Sequence, residues 1–154
     1  MKYILPNKEK IARDGYINQS LTALPGWEGA MGLQFENLVL NNRRHIFELL
    51  HLNPNDVIYD NPFFQHQTAR QESCQIDYMI QTRFDTLYIC EIKFSKHPVT
   101  IDIIAEMQEK ARRLKAPRHV SKRMVLIHVN GVSEEVIDTR YFSSVIDFGQ
   151  FLEP

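Results

Sequence analysis

Charged residues interrupt two segments that are otherwise apolar: Cys74-Gln75-Ile76-Asp77-Tyr78-Met79-Ile80 and Leu87-Tyr88-Ile89-Cys90-Glu91-Ile92-Lys93-Phe94. Strand side chains alternate between faces, so Glu91 and Lys93 project from one face, in line with Leu87 and Ile89. Residues 87 to 94 otherwise read as a strand covered on both sides, where unpaired charges would cost several kcal/mol each. Something must compensate them, and a bound divalent cation is one candidate.

The segment between the two strands, Gln81 to Thr86, carries Arg83 and Asp85, lacks an apolar pattern and reads as a short hairpin turn. Cross-strand neighbours lie about 5 Å apart, so an antiparallel pair would set Asp77 facing Glu91 and Lys93. Hard divalent ions such as magnesium take oxygen ligands, which suits two carboxylates, and a lysine beside the site could orient or deprotonate a water. The plainer alternative is an edge strand with Glu91 and Lys93 as a solvated pair, and an isolated Glu-x-Lys usually is one. Asp77, thirteen intervening residues and then Glu91-Ile92-Lys93, on two apolar strands joined by a tight turn, is far more restrictive.

Those strands need a fold to hold them. The chain has 154 residues, 44% hydrophobic and 24% charged, enough for one domain with its own core. No stretch approaches the roughly 20 apolar residues of a membrane span, and the N-terminus lacks the apolar core of a secretory signal, so a soluble, cytoplasmic protein is expected. Cys74 and Cys90 are expected as reduced packing residues on the face opposite the carboxylates. The net charge of −1 does not announce a nucleic-acid binder. Its distribution is more suggestive: Lys110, Arg112, Arg113, Lys115, Arg118, Lys122 and Arg123 form a run with no acidic residue among them, suited to phosphate contacts. A solvated helix face is the competing explanation of that run.

Residues 1 to about 25 read as an extended lead-in with a short helix around Asn7 to Asp14, and residues 26 to 154 as the domain. From Trp27 the pattern turns helical, with a break near Asn41-Asn42, and Glu36 lies beside the first apolar stripe. A first strand is expected from Val57 to about Pro62, then the Asp77 and Glu91 strands, a helix from about Ile101 to Leu114, and a fourth strand from Lys122 to Val129. Short edge strands are expected at Val136-Ile137 and Ser144-Val145-Ile146, with a last helical turn from Asp147. This order implies an α/β fold, a three-layer α/β/α sandwich around a mixed central sheet.

Glu36, Asp77 and Glu91-Ile92-Lys93 resemble the scattered active-site pattern of the PD-(D/E)XK nuclease superfamily. More narrowly, Lys2-Tyr3-Ile4-Leu5-Pro6-Asn7, Trp27-Glu28-Gly29-Ala30 followed by Phe35-Glu36, Gln75-Ile76-Asp77, and Cys90-Glu91-Ile92-Lys93-Phe94-Ser95 look like the nuclease-like C-terminal domain of archaeal-type AAA-class ATPases. The resemblance implies a restriction-endonuclease-like fold and Mg2+ or Mn2+ bound by Asp77, Glu91 and the Ile92 carbonyl. It further implies that Glu36 approaches the metal directly or through water and that Lys93 positions the attacking water. The reaction would be phosphodiester hydrolysis on nucleic acid, DNA first; the basic run, read from its charge and not from the resemblance, would add Lys110, Arg112, Arg113, Lys115 and Arg118 as backbone contacts. Gln108 could contact the site, though a surface glutamine is the better reading.

The glycine that ATPase-linked relatives usually show before Gln-Ile-Asp is missing here, where Ser73-Cys74 stands, and no P-loop G-x-x-x-x-G-K-[ST] occurs. The chain is therefore expected to be a solitary domain, a fragment, or the partner of an AAA-class ATPase encoded elsewhere; a homodimer is another assembly open to it. Two other functions compete: a catalytically silent interaction module on the same fold, and a nucleic-acid binder that does not cut. The six histidines are dispersed without zinc-ligand spacing, and no G-x-S-x-G elbow or dinucleotide fingerprint occurs.

Overall fold

The computed structural model of the chain describes residues 27–151. The lead-in expected for residues 1 to 25, with its short helix, lies outside them. Two helices open the described chain, α1 (Trp27–Asn41) and α2 (Arg43–Leu49), separated at the asparagine pair as the pattern predicts. The Asn42 side-chain amide donates to the Leu38 carbonyl at 2.8 Å and Arg43 Nε to the Leu40 carbonyl at 3.0 Å, so side chains satisfy carbonyls that the helix end leaves free. A 3-10 turn at Pro54–Asp56, capped by Asn53, leads into the sheet.

Five strands follow in one mixed sheet of order β1-β2-β3-β4-β5: β1 (Val57–Gln65), β2 (Cys74–Thr82), β3 (Thr86–Phe94), β4 (Ser121–Val129) and β5 (Ser144–Asp147). The first two pairings are antiparallel and the last two parallel. The β2–β3 connection is the expected tight turn, with Asp85 in the left-handed region at φ 55°, as a three-residue hairpin loop requires. The parallel step from β3 to β4 crosses over through α3 (Asp102–Arg113).

Each face of the sheet carries its own core. Phe35, Val39, Ile46 and Phe47 of α1 and α2 pack on Tyr78, Ile80, Cys90, Ile92, Val125 and Ile127. Ile103 and Met107 of α3 pack on Ile76, Met79, Leu87, Ile89 and Leu126 from the other side. Full burial of each such side chain contributes about 1.5–3 kcal/mol, which holds the helices to the sheet. The expected three-layer α/β/α architecture is therefore the observed one.

Three local expectations are corrected. Strand β1 runs on through Pro62 to Gln65, because a proline is tolerated on an edge strand. Val136-Ile137 is not a strand but lies in α4 (Glu134–Thr139), whose first turn carries Glu134 and Glu135 after Ser133, a helix-start pattern. Cys74 sits in the core under α3, on the same side as Glu91, while Cys90 faces α1 and α2; both are free thiols.

Candidate functional site

Asp77 stands on a β-bulge. Between the paired positions Asn61↔Met79 and Phe63↔Ile76, one residue of β1, Pro62, faces two of β2, Asp77 and Tyr78. Ile76 and Met79, three apart, consequently both point toward α3, and Cys74 follows them to that side. The β2–β3 ladder ends at Tyr78↔Cys90. Beyond it the Ile92 backbone N–H donates to Asp77 Oδ2 at 2.9 Å. Asp77 thus does not oppose Glu91 and Lys93 as a ladder partner, as the unbroken alternation predicts; it fills the gap where the two strands part. A strand residue's N–H and C=O point the same lateral way, so the Ile92 carbonyl faces that gap too.

Glu91 projects from β3 toward α3 and is only 5% exposed. Both of its oxygens lie near ammonium groups: Lys110 Nζ donates to Oε2 at 2.7 Å, and Lys93 Nζ stands 3.7 Å from Oε1. Lys93 also reaches Glu106 Oε2 at 3.4 Å. Burial, then the charge of Asp77, pushes the Glu91 carboxyl up against the pull of the two lysines. Burial would lower Lys110, but the charge of Glu91 and its hydrogen bond outweigh it and raise that ammonium.

Glu36 comes from α1, across the sheet from α3, and is half-buried. Burial first, then the charges of Asp77 and Glu91, lift its pKa to about 7, with Lys110 and Lys93 opposing. Three carboxylates from three elements therefore sense one another where β2 and β3 separate. The surface there is a chain of hollows. One of about 210 Å³ is lined by Glu36, Phe63, Phe64 and Asp77, and one of about 580 Å³ by Phe64, Asp77, Glu106, Lys110 and Arg113. A third, of about 390 Å³, runs from Lys93 to Glu106. Asp77 and Phe64 belong to the first two and Glu106 to the last two, so the hollows adjoin one another, while Glu91 is buried and lines none of the three.

The basic run does not act as a unit. Arg112 and Arg113 both pair with Glu72 and Glu109, and their hydrogen bonds hold the Glu109 carboxyl down at about 2. Lys122 Nζ donates to the Ala111 carbonyl at 3.1 Å. Lys115, Arg118 and Arg123 are exposed, as is Gln108. The contact of Lys110 with Glu91 was not foreseen, although its signal is in the sequence: Ile103, Met107, Lys110 and Leu114 follow the i, i+4, i+7, i+11 spacing of the buried helix stripe. His128, read from sequence as a dispersed histidine, is buried and pairs in register with Lys93.

Two further contacts hold β1 in place. Gln65, buried at the end of β1, donates to the carbonyls of Glu72 and Arg113 and accepts from the Lys115 N–H, tying β1 to the C-terminus of α3. Asp60 on the same strand accepts from Tyr78 Oη and from Arg43 Nη1, each at 2.9 Å.

Among the described residues, no three His, Cys, Asp or Glu side chains stand around one point as an ion's ligands. The donor chemistry nevertheless fits a hard divalent cation: the Asp77 carboxylate and, by strand geometry, the Ile92 carbonyl face the gap, the buried Glu91 carboxylate adjoins it, and the Asp77 and Glu91 charges that, after burial, raise Glu36 are what such an ion relieves. No described helix is long and apolar enough to cross a membrane.

Comparison with known proteins adds little to this geometry. No family model matches the chain, and no curated protein matches it. Among solved structures, a repair endonuclease from Pyrococcus abyssi is similar, at 15% identity and a TM-score of 0.46 over 72% of this chain. The chain spans 43% of that protein's length.

Proposed function

We propose that the chain is a metal-dependent phosphodiesterase of the PD-(D/E)XK type, hydrolysing nucleic acid, DNA by preference. The observation that carries the reading is the Asp77 Oδ2 to Ile92 N–H bond at 2.9 Å, which sets Asp77 beside Glu91-Ile92-Lys93 at the parting of two strands. Asp77, Glu91 and the Ile92 carbonyl would hold Mg2+ or Mn2+, with Glu36 adding its carboxylate directly or through water. Bound there, the ion supplies Lewis-acid chemistry, polarising a phosphoryl oxygen and offsetting charge that grows in the transition state. Lys93, with a side chain 35% exposed, reaches into the groove and orients the attacking water. Phe63 and Phe64 line the same groove beside Asp77 and offer aromatic surface to a base. Lys115 and Arg118 supply exposed positive charge for phosphates, and Lys110, Arg112 and Arg113 enter that role by leaving their carboxylate partners.

Cytoplasmic action, residues 26–154 as the working unit, and assembly as a homodimer or with an AAA-class ATPase belong to the same proposal, the ATPase partner resting on the motif resemblance. Incubation with Mg2+ or Mn2+ and labelled single- and double-stranded DNA and RNA tests it. Metal-dependent cleavage lost in D77A is expected; no cleavage by the wild type, or equal cleavage by D77A, overturns it.

One observation favours a second reading, a catalytically silent module for a protein partner: Lys110 already neutralises Glu91 at 2.7 Å. A calorimetric titration with Mg2+ separates the two, since a silent scaffold gives no heat that depends on Asp77.

A further inference from the structure

Glu91 is a buried carboxylate with an ammonium group near each oxygen, so a divalent ion approaching it meets competing positive charge. The two are not equally placed. Lys93 rises from the same strand two residues along and stands 3.7 Å from Oε1, whereas Lys110 reaches down from α3 and makes the short bond at 2.7 Å. Lys110 also lines the 580 Å³ hollow with Phe64, Asp77 and Arg113, which gives its ammonium somewhere to go. Glu106 lies four residues before it on α3, the spacing and order at which a helix carboxylate pairs best with a lysine.

We propose that Lys110 is the resident counter-cation of the acidic site, held on Glu91 until a divalent cation displaces it, and that its release puts a positive charge into the groove that receives the phosphate backbone. The proposal rests on the nuclease reading above. Its consequence is an order of binding: cation first, then nucleic acid. Without the ion, the lysine keeps a buried carboxylate paired and the fold intact; with the ion bound, Glu106 receives the ammonium and the groove becomes less negative by the charge of the ion. Lys110 is in this sense a positioning residue, acting on substrate only after Glu91 has changed partner.

Calorimetric Mn2+ titration of the full chain at low ionic strength tests this, comparing wild type with K110M, which keeps side-chain length without charge, and with K110R. K110M is expected to bind Mn2+ at least about tenfold more tightly, because a competing unit charge a few ångströms away has gone. K110R should bind no more tightly than wild type. A purely structural lysine predicts the opposite, a loss of Mn2+ affinity in K110M. Equal or weaker binding by K110M beside a wild type that binds overturns this proposal alone; no binding by either overturns the nuclease reading with it. Should K110M fail to fold, the Nζ resonance of Lys110 in the wild type, followed through a Mg2+ titration, is expected to leave its hydrogen-bonded position, and persistence of the Lys110–Glu91 bond at saturating Mg2+ overturns the proposal.

Discussion

Asp77 Oδ2 accepts the Ile92 backbone N–H at 2.9 Å, and this side-chain bond stands where the β2–β3 ladder would otherwise supply its next rung. The carboxylate is thereby fixed to the strand that carries Glu91 and Lys93, although the two strands have stopped pairing. Structure and chemistry are tied in one contact: the bulge opposite Pro62 turns Asp77 into the gap, and the gap is where Glu36 and Glu91 feel its charge.

Substitutions at Asp77 should separate the two roles. D77A leaves the Ile92 N–H without its acceptor and should cost about 1–3 kcal/mol in chemical denaturation. D77N keeps an oxygen for that bond while relieving charge crowding, and should stay within about 1 kcal/mol of wild type. Both should lose Mn2+-dependent cleavage by about 10²-fold or more.

Glu36 makes the metal-free protein sensitive to pH. Its folded pKa of about 7 lies above the ordinary 4.5, so the folded state holds its proton more tightly than the unfolded chain. The stability this confers is fully present below the unfolded value and is lost as pH rises through about 7. The half-exposed position softens the effect to on the order of 2 kcal/mol. Denaturation free energies of wild type, measured across that range without divalent ions, should fall relative to those of E36Q.

The Arg43–Asp60–Tyr78 contact anchors the strand that carries Phe63 and Phe64. Tyr78 is fully buried, and D60A would strand its hydroxyl, so a loss of about 1–3 kcal/mol is expected in denaturation. Y78F removes donor and hydroxyl together and should cost less. Mn2+ affinity should change in neither variant, since the Asp60 carboxylate is spent on Arg43 and Tyr78.

Nucleic-acid affinity should depend on Lys115 and Arg118 more than on Arg112. All three are exposed, but Arg112 spends its guanidinium on Glu72 and Glu109, whereas the side chains of Lys115 and Arg118 make no ion pair among the described residues. The K115A/R118A double variant should reduce the slope of log affinity against log salt by about 1.8 for duplex DNA, and R112A should reduce it by less than about 0.9, since Arg112 must first leave Glu72 and Glu109.

How far the sequence disclosed this site depends on the range over which each interaction acts. Alternation along Leu87 to Phe94 and the period of Ile103, Met107 and Leu114 are local patterns, so the paired strands, the covering helix and the face of Glu91 could be read directly. The bulge at Asp77 could not, because it arises from where Pro62 falls on a neighbouring strand, a register that the Asp77 segment does not itself encode. The same bulge moved Cys74 to the side of Glu91. Arg112 and Arg113 looked unopposed within the basic run, although Glu109 stands just before it at helix spacing and pairs with both; only their second partner, Glu72, lies some forty residues earlier in the chain. Lys110 was legible in principle: a lysine on a buried helix stripe needs an acidic partner beneath it, and Glu91 was the buried acid in search of one.

The central claim is that Asp77 and Glu91 share a divalent cation at the parting of β2 and β3. Anomalous diffraction from a crystal soaked in Mn2+ measures this most directly. The account predicts a single strong peak within about 2.0–2.6 Å of carboxylate oxygens from both residues, with the Ile92 carbonyl facing it and Lys110 withdrawn from Glu91. A saturated crystal with no peak there, or with Mn2+ bound elsewhere and Lys110 still on Glu91, would contradict it.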